Sequence, residues 1–488
     1  MVKISGTLAA VVVVIVLVNT FRHTPDTLRQ VAPVEVTVDE DLIARHLAEA
    51  VQFRTVSHQD PSLREQDQFE GFIAWVKSTY PEVNENLALT RLNDTLLYRW
   101  EGADGALQPI LITGHYDVVP VIPGTEERWE QPPFSGNIVD GVIWGRGTLD
   151  DKSGVVGILE ATTLLLQQGF QPQRTVYLSF GHDEEIGGPN GAGEVARFLK
   201  ENQVQLAWSL DEGSFVFDDM LPGVEPLVAI INVAEKGSVT LDIVATAAGG
   251  HSSMPPAETA VGKLARALVK LEENPVPGGL EGLSASMFDT TSRYMPFLMR
   301  MMFANQWLFG AVLEKELAKM PAVNAMLRTT TAPTMLSGSV KTNVLPIEAV
   351  ARVNFRIHPR DSVQDVADHV ARVVQAPDVE VRLPATGGLP ASVVSDWNSE
   401  GFGVIGDSVL ETYGSIVVTP GLMVAGSDTR HYGKVADNAF RFNPLVVTQA
   451  DLTGFHGTNE KISVANMAQG VRSYARIISN GAGKADAP

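Results

Sequence analysis

Apolar runs that stop abruptly at carboxylates or histidines constrain this chain more than any other feature. Ile110-Leu-Ile-Thr-Gly-His115-Tyr-Asp117, Val176-Tyr-Leu-Ser-Phe-Gly-His-Asp183-Glu184-Glu185 and Leu206-Ala-Trp-Ser-Leu-Asp211-Glu212-Gly each read as a buried strand with an ionisable tip. Near-continuous apolar strands belong to parallel sheets covered on both faces. Such sheets bind ligands outside the carboxyl ends of their strands. Crowding carboxylates at one sheet edge is costly unless a cation stands among them. The pattern therefore predicts a metal site, and the metal predicts hydrolysis.

The spacing of these runs sets the fold class. Helical patterns at residues 40–52, 67–79, 152–168 and 190–202 alternate with strand patterns at 96–100, 110–114, 175–180 and 206–210. That rhythm predicts an α/β catalytic domain, with a mixed, mostly parallel sheet flanked by helices. At Glu235-Lys-Gly237 the texture changes. Residues 238–245 alternate with period two, a helix follows over 258–273, and residues 349–357 and 362–375 repeat the strand and helix. This set reads as an inserted α+β domain, over residues 236–375, between two catalytic segments at 39–235 and 376–482. Within it, residues 287–326 are rich in Met, Phe and Trp at helical spacing. Such a face reads as core or subunit interface, or as a greasy surface for acyl chains, since methionine adapts to irregular apolar partners.

Composition narrows the partners. The 488 residues exceed one core, and 44% are apolar, so a multidomain globular protein is expected. Lys and Arg number 37 against 57 Asp and Glu, a net charge of −20 that disfavours nucleic acid and anionic lipid. With no cysteine, thiolate zinc sites, cysteine nucleophiles and disulfides are excluded. At the N-terminus an apolar run over residues 4–18 follows Lys3. It suits a secretory h-region, and no small-residue cleavage site comes after it. Residues 1–22 thus read as a signal-anchor, or a signal peptide if cleaved, and 23–38 as a linker. This predicts a membrane-anchored protein with its catalytic domain outside the cytoplasm, or a secreted one.

The site candidates come in chain order. His115 ends a strand, and Asp117 has the spacing of a carboxylate that orients the imidazole. Asp150-Asp151-Lys-Ser-Gly154 follows the glycine-rich Trp144-Gly-Arg-Gly147 and precedes a helix, where an aspartate could also act as an N-cap. Asp183-Glu184-Glu185 and Asp211-Glu212 end apolar strands. His456 lies in the loop Phe455-His-Gly-Thr-Asn-Glu460.

Taken together, His115-Tyr-Asp117-Val-Val-Pro, Trp144-Gly-Arg-Gly-Thr-Leu-Asp150-Asp151-Lys-Ser-Gly, Gly181-His-Asp-Glu184-Glu185, Leu210-Asp211-Glu-Gly, Gly250-His251-Ser-Ser and His456-Gly-Thr-Asn-Glu resemble the aminoacylase/carboxypeptidase family of di-zinc metallopeptidases. The similar branch is carboxypeptidase S with the Gly-Xaa carboxypeptidases, which are N-acyl-amino-acid hydrolases. The resemblance implies two Zn²⁺, with Co²⁺ or Mn²⁺ as substitutes. Asp150 would bridge them through a cis peptide to Asp151, His115 and Asp211 would complete one shell, and Glu185 and His456 the other. The ligand is placed on Asp211 rather than Glu212. Glu184 would be general base and acid with metal-bound hydroxide, and Asp117 would hold His115. His251, from the insert, would reach the site across a dimer or on closure of this lid or dimerisation domain. Arg430 would clamp a substrate carboxylate, and Asn343 would contact substrate. The implied reaction is cleavage of the amide bond of peptides or N-acyl amino acids with a free C-terminal carboxylate. The competing readings are a long-chain N-fatty-acyl-amino-acid hydrolase or synthase and a non-catalytic binding protein on the same fold.

Overall fold

The computed structural model describes residues 2–25, 31–219, 221 and 223–483. Residues 26–30 of the expected linker and residue 1 of the expected anchor lie outside them. Eight strands form the main sheet: β1 (Ala88–Leu92), β2 (Thr95–Trp100), β3 (Ile110–His115), β4 (Val176–Gly181), β5 (Leu206–Phe217), β6 (Val228–Glu235), β7 (Val417–Met423) and β8 (Ala436–Val447). Their order is β1-β2-β4-β3-β5-β8-β6-β7. β3 lies between β4 and β5 and runs parallel to both. β1, β2 and β6 pair antiparallel with neighbours, so the sheet is mixed.

The strands' alternating side chains fill two layers. Ile110, Ile112, Val176 and Leu178 face a core shared with the helices Glu40–Gln52, Lys152–Gln167 and Val464–Ala482. Leu111 and Tyr177 face the opposite side, against Ala192, Val195 and Leu199 of the helix Ala192–Glu201. Helix ends follow local chemistry. Asp39 accepts the Leu42 N–H ahead of Glu40 and Asp41, which places negative charge at a helix N-terminus.

The insert has its own core. Val239, Leu241, Ile243 and Ala245 point inward from the strand Gly237–Thr246, as its alternation predicts. The helices Ala260–Glu273 and Val363–Val374 cover that face. The four-stranded sheet also takes in Val379–Arg382, past residue 375 where the sequence reading ends the insert. Leu389 then bridges back to Ser238. A short strand with alternating residues carries too weak a pattern to be told from the resuming catalytic segment.

The Met- and Phe-rich segment folds into four helices, Gly282–Ser292, Phe297–Ala304, Gln306–Leu317 and Pro321–Leu327. They leave the insert's core and pack on the main sheet: Met287, Phe288, Met295 and Phe303 share a cluster with Val228, Ile230 and Val417. The N-terminal helix Val2–Arg22 and His23 after it rest on this excursion, with the Phe21 ring 6.1 Å from that of Phe297. Asn19 donates to Asn305 Oδ1 at 2.9 Å, Asn305 donates to the Val16 carbonyl, and the His23 ring meets Ser292 Oγ at 2.8 Å.

The expected membrane anchor is corrected here. Among the described residues no helix is long and apolar enough to cross a membrane. A span needs ~20 predominantly apolar residues, and Asn19, Thr20 and Arg22 end the apolar stretch too early. The placement of the catalytic domain outside the cytoplasm loses its basis with the anchor.

Candidate active site

β3 lies beside both β4 and β5 and runs parallel to them, so His115 at the end of β3, Glu184 and Glu185 just past β4, and Asp211 and Glu212 within β5 come to one region of the sheet. Asp150 stands at the centre. Its Oδ1 lies 3.2 Å from His115 Nε2 and its Oδ2 lies 3.1 Å from His456 Nε2. Around the first imidazole, Glu212 Oε1 is at 3.5 Å; around the second, Glu185 Oε2 is at 3.4 Å. Donor atoms of His115, Glu184 and Glu212 converge within 4.8 Å, as do those of His115, Asp150 and Glu185. One carboxylate thus faces two clusters.

The supports are buried hydrogen bonds. Asp117 Oδ1 sits 3.4 Å from His115 Nδ1, and the Asp117 carbonyl is 3.0 Å from the same nitrogen. A proton held on Nδ1 leaves Nε2 as the lone pair facing Asp150. Asp117 also accepts the peptide N–H groups of Glu184 and Glu185 at 3.2 Å each, and the Ser57 hydroxyl at 2.6 Å. The same carboxylate therefore orients His115, Glu184 and Glu185. On the other side Glu460 Oε1 accepts the N–H groups of Gly147, Leu149 and Asp150, while its Oε2 pairs with Arg146 at 2.7 Å. This buried clamp shapes the turn that presents Asp150. The Asp150–Asp151 peptide is cis.

The electrostatics call for more positive charge than the side chains supply. Burial pushes Glu184 and Glu212 well above the ordinary glutamate range, with neighbouring carboxylates adding to the effect. Glu185 shifts up for the same reasons, and its Oε1 is buried with no hydrogen-bond partner. His456 is pushed up to about 10 by its bonds to Asp150 and Glu185. His115 is desolvated, yet Glu212, Asp117 and Asp150 hold it well above an ordinary imidazole. Among the described residues, Asp150, Glu184, Glu185 and Glu212 form no ion pair with lysine or arginine. Divalent cations would neutralise this crowd and give Glu185 Oε1 a partner, so the donor set fits a metal pair.

Asp211 departs from the sequence reading. Its Oδ2 accepts the Thr429 hydroxyl at 2.8 Å and its Oδ1 the Glu212 N–H at 2.9 Å, while Glu212 faces His115. Side chains alternate along a strand, so only one of two adjacent acids can point at the cluster. Arg430 reaches the Ser427 carbonyl at 2.9 Å and lies 3.8 Å from Glu235. Its guanidinium packs against Gly426, on the wall of the site cavity, where a Cβ would meet Nη2 at 1.9 Å. His251 and Asn343 come together at the edge of the insert, where His251 pairs with Val344, and neither lines that cavity. His182 meets Thr95, and His431 the Gly187 carbonyl, both as structural contacts. Sequence reading missed Ser57, whose role follows only from the approach of a distant loop.

The cavity measures about 530 Å³. It opens on Asp150, Glu184, Glu185, Glu212 and His456, and continues between Phe215, Phe217, Ile230, Met326, Leu422, Met423 and Phe455.

A sequence profile spanning this whole arrangement decides the family: that of peptidase family M20/M25/M40 matches residues 111–480. The chain belongs to that family. It is 40% identical over 451 residues to probable carboxypeptidase S-like 2 of Dictyostelium discoideum, covering 91% of this chain and 86% of that one. It is also 40% identical over 386 residues to the N-fatty-acyl-amino acid synthase/hydrolase PM20D1 of Xenopus tropicalis, covering 79% and 74%. Among solved structures, the M20 family metallo-carboxypeptidase Sso-CP2 of Sulfolobus solfataricus superposes with a TM-score of 0.59 at 18% identity, over 90% of this chain and 99% of that one. Human carnosine dipeptidase 1 gives 0.58 at 16%, over 91% and 96%. The M20 fold, with its mixed sheet and inserted domain, is thus this chain's fold. The chain is an M20 hydrolase of the peptidase and amidohydrolase type, and M20 metallopeptidases use divalent metals.

Proposed function

We propose that the enzyme hydrolyses the amide bond of N-acyl amino acids with long acyl chains, using two zinc ions. One observation carries the choice of substrate: the cavity runs without a break from the acidic cluster into a lining of Phe, Ile, Leu and Met. A long acyl chain buries apolar surface there at roughly 25 cal/mol per Å². A small peptide would leave much of that wall unused.

His115, Glu212 and Asp150 would hold one ion, and His456, Glu185 and Asp150 the other. When bound, the pair would polarise the amide carbonyl and acidify water. Glu184, a member of the first cluster and next in sequence to Glu185 of the second, takes a proton from the attacking water. The water oxygen bonds to the carbonyl carbon, the C–N bond breaks, and Glu184 returns the proton to the leaving amine. Asp117 keeps the Glu184 backbone and the His115 ring in register for this transfer. Arg430, whose guanidinium packs against the cavity-lining Gly426, would pair with the free carboxylate of the amino acid.

Turnover of N-lauroyl against N-acetyl amino acids and a blocked dipeptide tests the reading, with zinc measured by elemental analysis. The N-lauroyl substrate is expected to give the highest kcat/KM, and preference for the dipeptide would return the enzyme to the carboxypeptidase reading. Glu184→Gln is expected to keep its zinc and lose a factor of roughly 10²–10⁴ in kcat.

A further inference from the structure

Met326, in the last turn of the helix Pro321–Leu327, forms part of the apolar lining of the cavity. A short helix end of this kind leaves carbonyls that need donors. Here the donors come from other parts of the chain. Lys236 Nζ donates to the carbonyls of Ala325 and Arg328, at 2.9 Å each. Ser284 Oγ donates to Met326 O at 2.7 Å, and Arg360 donates to Leu327 O. Cations at a helix C-terminus also complement its dipole.

Lys236 is the member of this clasp with a second attachment. It sits where the chain leaves β6 for the insert and is only 3% exposed. Its own N–H donates at 3.0 Å to the carbonyl of Met423, which lines the same cavity. Next to it, Glu235 is fixed by Arg441 at 3.1 Å and Ser427 at 3.2 Å. Gly237 follows, with the returning chain so close that a Cβ would stand 2.4 Å from Ala391 N. The side chain of Lys236 thus ties a rigid crossing to one wall of the cavity, and its backbone ties it to another.

We propose that Lys236 is a positioning residue for acyl-chain selectivity: by clasping the end of the Met326 helix it fixes one apolar wall of the cavity. It touches no reacting atom. The assignment rests on the acyl reading above, and the experiment separates the two. Steady-state kinetics are measured with N-acetyl, N-octanoyl and N-lauroyl amino acids for the unaltered enzyme, Lys236→Met and Lys236→Arg. Methionine matches the length of the lysine stem but donates nothing; arginine restores donors.

In Lys236→Met, KM for the N-lauroyl substrate is expected to rise about tenfold, while kcat and the N-acetyl parameters stay within about twofold, as pocket discrimination by a few methylenes permits. Lys236→Arg is expected to recover much of the N-lauroyl KM. A loss shared equally by all three substrates, or an unchanged profile in a folded variant, overturns the assignment. If Lys236→Met does not fold, Ser284→Ala, which removes the bond to Met326 O, is expected to shift the N-lauroyl KM in the same direction by a smaller factor. An unchanged profile there overturns the proposal equally. Should the unaltered enzyme prefer N-acetyl substrates, the acyl reading and this one fall together. Should it prefer N-lauroyl and keep that preference in the variants, only the role of Lys236 falls.

Discussion

At the scale of single residues, adjacency in sequence and function in space part company at Asp211 and Glu212. Both acids lie in the middle of β5, and the strand's alternation sends them to different partners. Burial pushes Asp211 up to about 6, opposed by its bonds to Thr429 and the Glu212 amide. That carboxylate holds the backbone that presents Glu212. Two variants should therefore differ in kind. Glu212→Gln is expected to lose one zinc on dialysis against a mild chelator, since a ligand is gone. Asp211→Asn should keep both ions with an affinity weakened by roughly 10–100-fold, the usual cost of an outer-shell partner. Zinc competition titrations decide between them; loss of an ion from Asp211→Asn alone would restore Asp211 as the ligand.

Among the elements, the turn that carries Asp150 depends on a residue more than three hundred positions away. Glu460 gathers three backbone N–H groups and Arg146, and both members of the ion pair are buried. Glu460→Gln leaves the Arg146 cation buried and unpaired, so unfolding in urea should show a loss of about 3–5 kcal/mol. A loss under about 1 kcal/mol would match a solvent-exposed pair instead.

The crossing from β6 into the insert makes a pH prediction. Burial first, and Arg356 and Arg360 next, lower Lys236 from 10.5 to about 7, with Asp361 opposing and His358 facing the same clasp. Between those values the unfolded chain binds a proton that the folded one does not, so stability rises with pH. The gain is complete above 10.5 and lost as pH falls through about 7. Lys236→Met should flatten urea-unfolding stability across that interval, and an unchanged slope would place the lysine in a more solvated setting. Most elements were readable beforehand, because β3, β4 and β5 advertise themselves by apolar runs and the helix Glu40–Gln52 by its cap and stripe. The packing of Met287 and Phe288 against Val228 was not readable. Their spacing says that a face is buried and not against what. The N-terminal apolar run likewise reads as a signal-anchor, and only partners distant in sequence, Asn305, Ser292 and Phe297, show a helix that docks on the protein.

For the whole molecule, the decisive fact is that the apolar residues divide into cores that do not share members. Leu241, Ile243, Val353 and Phe355 belong to the insert, whereas Ile112, Val155, Leu178 and Trp208 belong to the main sheet. Every residue assigned to hold metal hangs from the second group. Ligands that bind only the folded state stabilise the unit they bind, by RT ln(1 + [L]/Kd), and a molecule with separate cores need not melt as one. Removing the metal should therefore lower the melting of the main domain and leave the insert where it was. Differential scanning calorimetry is expected to show overlapping transitions in the zinc-loaded enzyme that separate after chelation, the larger one moving down. The clasp of Lys236 and Arg360 on the helix Pro321–Leu327 is the opposing influence, since it joins the crossing from β6, the insert and the cavity wall. If chelation moved a single transition as a whole, that clasp would couple the two cores strongly enough for them to unfold as one body. Lys236→Met, by cutting the crossing's part of it, should then separate the transitions that chelation alone could not.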